Sequence, residues 1–197
     1  MNQKIKKKQI KKKSERENMT KIIGFCGSPR KGGNTEILMQ TVLKSAEAKG
    51  FETEYISLNK TNIGFCQACD ACHKTGKGCV QKDDMKLFEE KMREADVWVI
   101  GTPVYWWGPT AQMKVFIDRW YGFARETYQN KKLILIAPME DTEDKTAAHV
   151  VGMFQDSCDY IGIEIADIIV AKGVHEAGAV NSRPEILKLA ENAISKI

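Results

Sequence analysis

Beyond the first eighteen residues, short apolar runs alternate with stretches whose apolar positions recur every three to four residues. Lys21–Cys26 (KIIGFC) predicts a buried strand, and Thr35–Lys49 a helix stopped by Gly50. Phe51–Leu58 alternates with period two, the mark of a half-exposed strand at a sheet edge. Asn59–Lys82 shows neither period. A helix then runs from an N-cap at Asp83 or Asp84 to about Glu94. Strands at Asp96–Gly101, Lys132–Pro138 and Ile163–Ala171 alternate with helices at Ala111–Phe123, Thr146–Ile161 and Pro184–Ile197, the last with proline in its first turn. Five strands alternating with five helices predict an α/β fold with a parallel sheet covered on both faces, because parallel neighbours need crossover connections. For about 180 residues the doubly wound order 2-1-3-4-5 fits, with ligands expected beyond the carboxyl ends of strands 1 and 3, where the strand order reverses.

Composition changes this picture little, but charge divides the chain. Hydrophobic residues at 43% and charged residues at 28% exclude wholesale disorder. No run approaches the ~18–20 consecutive apolar residues of a membrane span. Residues 1–18 hold eight basic and two acidic side chains, a net +6, which leaves −2 over residues 19–197 of a chain whose total is +4. This lysine-rich segment has no apolar core of a signal peptide and too little apolar surface to fold. It is expected to be a dispensable extension, or the product of an upstream start with Met19 as initiator, rather than an arm for nucleic acid or anionic lipid. The domain is expected to begin at Met19 and to work in the cytoplasm.

Both switch-point loops carry unusual chemistry. Gly27-Ser28-Pro29-Arg30-Lys31-Gly32-Gly33-Asn34-Thr35 joins a strand to a helix start, whose free N–H groups attract anions. Ser28, Arg30, Asn34 and Thr35 add donors suited to phosphate. A nucleotide P-loop needs Lys and Ser/Thr directly after its second glycine, yet Gly32 is followed by Gly33 and Asn34; G-x-G-x-x-G fails at Gly24-Phe25-Cys26. A monophosphate cradle remains, against the plainer reading of a glycine-rich turn capped by Asn34 or Thr35. The second loop, Gly101-Thr102-Pro103-Val104-Tyr105-Trp106-Trp107-Gly108-Pro109-Thr110, offers aromatic walls for a flat heterocycle, or packing for the next helix or a second subunit.

Six cysteines occur, and four of them form Cys66-x2-Cys69-x2-Cys72-x6-Cys79. Without an export signal, metal or redox chemistry is the better expectation than a disulfide framework. Four thiolates at two-residue gaps suit an Fe–S cluster, zinc accepts the same donors, and free thiols are the remaining reading. Cys26 and Cys158 are expected in the core. His73, His149 and His175 are scattered and are expected at the surface or in packing, with His73 the one worth testing.

GSPRKGGNT after strand 1 combined with GTPVYWWGPTAQMKVFIDRW after strand 3 resembles the NAD(P)H-dependent FMN reductases and iron–sulfur flavoproteins of the flavodoxin-like superfamily. The resemblance covers residues 21–197 and implies a flavodoxin-like fold. It implies FMN, with its phosphate at Ser28, Arg30, Asn34 and Thr35 and its isoalloxazine on Pro103, Val104, Tyr105, Trp106 and Gly108. The third flanking loop, Met139-Glu140-Asp141-Thr142, is acidic rather than glycine-rich. The compact cysteine run after strand 2 resembles the [4Fe–4S] site of the iron–sulfur members, which implies Cys66, Cys69, Cys72 and Cys79 as ligands. Electrons then come from NAD(P)H or ferredoxin and pass through FMN to a small-molecule or protein acceptor, in a homodimer or homotetramer. The competing readings are a pure electron carrier without NAD(P)H activity and, from a different class, a zinc module binding nucleic acid. The last requires basic residues over the folded surface, whereas residues 19–197 are net negative.

Overall fold

A computed structural model describes residues 19–197; the expectations for residues 1–18 lie outside the described residues. The strands form where the apolar runs predict them: β1 Lys21–Cys26, β2 Glu52–Ser57, β3 Val97–Gly101, β4 Lys132–Pro138 and β5 Glu164–Ala171. They pair in parallel in the order β2-β1-β3-β4-β5, the expected doubly wound arrangement. The helices are α1 Asn34–Ala48, α2 Ala71–Thr75, α3 Met85–Glu94, α4 Ala111–Asp118, α5 Asp144–Ile161 and α6 Pro184–Ala193.

Alternation along the strands splits the interior into two cores. Ile22, Val97, Val99, Ile134 and Ile136 face α1 and α6, where Leu38, Val42, Ile186 and Ala190 meet them. Ile23, Phe25, Trp98, Ile100, Leu133 and Leu135 face α3, α4 and α5, against Phe88, Met92, Phe116 and Phe154. Cys26 joins the first core and Cys158 the second, both as buried free thiols. Each large side chain removed from water contributes roughly 1.5–3 kcal/mol, so the two-sided sheet supplies most of the stabilisation.

Three elements differ from the sequence pattern, the slightest being the last helix, which is α-helical to Ala193 and then a 3-10 turn over Ile194–Lys196. The helix expected over 111–123 is α-helical only to Asp118 and tightens into a 3-10 turn over Arg119–Gly122. There Trp120 turns inward onto Trp98, with ring centroids 5.6 Å apart, while Arg119 is drawn to the cysteine loop. The aperiodic stretch 59–82 also carries structure, a 3-10 turn at Leu58–Lys60 and the short α2. Left-handed backbone at Asp70 and Gly76 brackets α2 and hides it from any periodicity argument.

Candidate functional site

Four loops leave the carboxyl ends of β1, β3, β4 and β5 and meet in one cleft of about 320 Å³. Hydrogen bonds tie the loop roots together: Gly27 N–H donates to Gly101 O at 2.7 Å, Thr102 N–H to Ile136 O at 2.9 Å and Met139 N–H to Ala171 O at 2.8 Å. The Thr110 hydroxyl caps α4 through Met113 N–H and donates to Gly27 O at 2.7 Å, which fixes the first loop against the second. Gly101 lets α1 approach this junction, since a Cβ there would lie 2.8 Å from Thr35 Cγ2.

The first loop presents an open helix start to the cleft. α1 starts at Asn34 with Gly33 as its N-cap and no side-chain cap, so the capped-turn reading fails. Ile37 N–H takes Gly33 O, leaving the N–H groups of Asn34, Thr35 and Glu36 without a preceding helical carbonyl. Ser28, Arg30, Asn34 and Thr35 all line the cleft, with Ser28 and Thr35 almost wholly buried. The Asn34 side chain is engaged elsewhere. Its amide donates to Val174 O at 3.1 Å and Glu176 O at 2.9 Å, and its Oδ1 accepts Val180 N–H at 3.1 Å. With both amide hydrogens engaged, the backbone N–H is the one donor Asn34 can offer a ligand. Arg30 is anchored by one nitrogen to His175 O at 2.8 Å.

The second loop supplies Pro103, Val104, Tyr105 and Trp106 to the cleft wall. Gly108 lies outside the cleft lining, and its N–H and carbonyl pair with the carbonyl and N–H of Tyr105 at 3.0 and 2.9 Å. This closes a two-residue hairpin with Trp106 and Trp107 at its tip, at φ of 49° and 60°. Such turns favour Asn-Gly, and bulky residues in the left-handed region cost about 1–2 kcal/mol each. Trp106 is 91% exposed and gains almost no packing in return. Trp106→Asn is therefore expected to raise stability in urea by about 1 kcal/mol and to weaken flavin binding several-fold, from a lost aromatic contact of ~0.5–1.5 kcal/mol. Equilibrium unfolding and a flavin fluorescence titration measure the two effects.

Pro138, Met139, Glu140, Val174 and His175 complete the lining. His175, expected from sequence only as a surface or packing residue, sits on the cleft wall with Nδ1 3.0 Å from Glu140 Oε2. The signal for this fourth wall is Gly173 and Gly178, both left-handed, bracketing it directly after β5. In the third loop, the Thr146 hydroxyl and the N–H groups of Glu143 and Thr142 hold the Asp141 carboxyl below the ordinary range.

The cysteine loop wraps the 3-10 turn after α4. Cys72 and Cys79 meet over Gly122, where a Cβ would lie 3.6 Å and 3.3 Å from their Cβ atoms. His73 packs on Tyr121 with ring centroids 4.3 Å apart. Arg119, 2% exposed, donates to Gly64 O at 2.6 Å, to both oxygens of Asp83 and to Cys79 Sγ at 3.3 Å. Burial alone would raise the Asp83 carboxyl, but hydrogen bonds from Arg119, Gly64 N–H and Met85 N–H hold it below the usual range. Among the described residues no three Cys, His, Asp or Glu side chains converge closely enough to hold a metal ion. The donor chemistry nevertheless fits a thiolate-ligated centre, with four cysteines on one loop and a cradle at Gly122 that admits two of them.

Burial pushes the Cys158 thiol up to about 12 and raises Cys26 as well, whereas Cys66, Cys69 and Cys79 are exposed and Cys72 partly so. In metal-free protein at pH 8, the four loop thiols are expected to react with a disulfide reagent and the two core thiols only after unfolding. Thiol counting before and after denaturant checks this.

The chain matches the sequence profile described as NADPH-dependent FMN reductase over residues 20–160. It is 41% identical over 99 residues to an iron–sulfur flavoprotein of Archaeoglobus fulgidus, covering 50% of this chain and 44% of that protein. The chain spans about half the length of the iron–sulfur flavoproteins it matches. The NAD(P)H:quinone oxidoreductase from Methanothermobacter marburgensis superposes with a TM-score of 0.72 at 17% identity, covering 89% of this chain and 94% of that one. An FMN-dependent NADH-azoreductase from Bacillus anthracis, solved with FMN, gives 0.70 at 16% identity, covering 90% and 99%. At these identities the two structures establish the shared fold.

Proposed function

This chain belongs to the NADPH-dependent FMN reductase family, and from that premise we propose that it is an FMN-dependent oxidoreductase of the iron–sulfur flavoprotein kind, taking electrons from NAD(P)H or ferredoxin. The observation that carries this reading is the cleft at the switch point, where an uncapped helix start faces an aromatic hairpin across about 320 Å³. FMN, when bound, supplies the electron- and hydride-accepting chemistry. Ser28, Arg30, Thr35 and the backbone N–H groups opening α1 hold its phosphate, with Asn34 contributing through its backbone. Pro103, Val104, Tyr105 and Trp106 flank its ring system, and Gly108 shapes the turn that presents them. Glu140 and His175 close the cleft on the β4 and β5 side. No side-chain acid or base is required of the protein, which contributes position and electrostatics.

Cys66, Cys69, Cys72 and Cys79 hold a [4Fe–4S] centre, which supplies one-electron steps when bound. The names of the iron–sulfur flavoprotein relatives and the donor set support this. The acceptor is a small molecule or a protein, the assembly a homodimer or homotetramer, and the compartment the cytoplasm; among the described residues no helix is long and apolar enough to cross a membrane. Anaerobic purification with flavin, iron, sulfide and zinc assays tests the reading. Yellow-brown protein with iron and sulfide in the ratio of a [4Fe–4S] centre is expected. Colourless protein without flavin overturns it, and yellow protein without iron removes the cluster alone. Rapid mixing with NADPH and with reduced ferredoxin then separates a reductase from a pure carrier.

A further inference from the structure

We propose that Arg119 is a positioning residue for the cysteine centre, holding both ends of its loop on one guanidinium and setting Cys79 apart from the other three thiolates by an N–H···S hydrogen bond. The proposal rests on the four-cysteine reading above. Gly64, whose carbonyl accepts from Arg119 Nη1 at 2.6 Å, lies two residues before Cys66; Asp83, which accepts from both terminal nitrogens, lies four residues after Cys79. One planar fork therefore closes the whole loop, a task for five fixed donors that a single ammonium cannot reproduce. The side chains of this pair are only 1% and 6% exposed, and burying a guanidinium is costly unless its charge and hydrogens are matched.

Its hydrogens are not matched in the way that best serves stability alone. Arg119 Nε is buried without a partner, while Nη2 is aimed at Asp83 Oδ1 at 3.1 Å and at Cys79 Sγ at 3.3 Å. The guanidinium is thus turned toward the sulfur at the expense of its own third nitrogen. Among the described residues no comparable donor reaches the sulfurs of Cys66, Cys69 or Cys72. A hydrogen bond and a positive charge at one ligand sulfur stabilise the added negative charge of a reduced iron–sulfur centre. The consequence is a raised midpoint potential and a Cys79–iron bond protected from exchange.

The test uses anaerobically purified protein in its metal-loaded form. Arg119→Lys is expected to keep iron and flavin, to lower the midpoint potential of the centre in an EPR-monitored titration, and to release iron to a chelator about tenfold faster. The FMN potential should not move, since Arg119 does not line the flavin cleft. An iron-loaded variant with unchanged potential and unchanged release rate overturns the proposal while leaving the cluster reading intact. Wild-type protein without iron overturns both. A second measurement covers a variant that fails to fold or load: wild-type protein grown with 15N-arginine should show a 15N coupling to the reduced centre in pulsed EPR, and its absence also sinks the proposal.

Discussion

Asp83→Leu is expected to destabilise the fold by about 3–5 kcal/mol, because it leaves the Arg119 guanidinium charged, buried and unpaired. The double variant Asp83→Leu/Arg119→Met should recover most of that loss, since replacing both members of a buried pair with apolar groups is often neutral. Chemical denaturation of the two single variants and the double variant measures the coupling, and near-additive losses would refute it. The pair also has a pH signature. Because the Asp83 carboxyl is held below its unfolded value near 3.9, its stabilisation is fully present above that value and is lost as pH falls through the lower folded value. Asp83→Leu/Arg119→Met should therefore show a weaker loss of stability as pH falls below the ordinary carboxylate range than the parent protein.

The second large effect concerns the anion cradle. Ser28→Asp sets a carboxylate where the proposed phosphate sits, at a residue only 6% exposed and lining the cleft. Like charges juxtaposed in a binding site cost several kcal/mol, so FMN affinity should fall by more than about a hundredfold. Riboflavin, which has the same ring system without the phosphate, should lose far less. Equal losses for the two flavins would mean that the loop after β1 does not read the phosphate. Fluorescence titrations with both flavins decide the matter, with circular dichroism to verify that the variant is folded.

Much of the architecture was legible because its signals are local. Short apolar runs gave four strands, Lys132–Pro138 to the residue, and period-two alternation gave the edge strand β2; the crossover logic and the size of the domain gave the order β2-β1-β3-β4-β5. The two loops at the order reversal were likewise legible as a cleft, because unusual residue types at a switch point can be recognised without coordinates, and both loops line it. What escaped notice depends on contacts distant in sequence. Asn34 looks like a phosphate donor until Val174, Glu176 and Val180 take up its amide. The pairing of Gly108 with Tyr105, which makes it the closing residue of a hairpin, has no signal in the residue types. His175 reaches the cleft only because the loop after β5 folds back toward α1. Arg119 sits in a stretch patterned as helix, and nothing in that pattern says that its side chain turns to a cysteine 40 residues earlier.

The Asn34 anchor also sets an order of events. Its three hydrogen bonds span 140, 142 and 146 residues of chain, so they close among the largest loops the molecule contains. Contacts of such separation form only after their intervening chain is organised, and during synthesis the amino-terminal strands emerge well before β5. A nascent chain ending before Gly173 has the cradle residues but lacks the loop that carries Val174, His175 and Glu176. The cleft is thus expected to be a late product of folding, completed when the loop after the last strand docks on α1, and a chain stalled short of that point lacks that wall of the cleft.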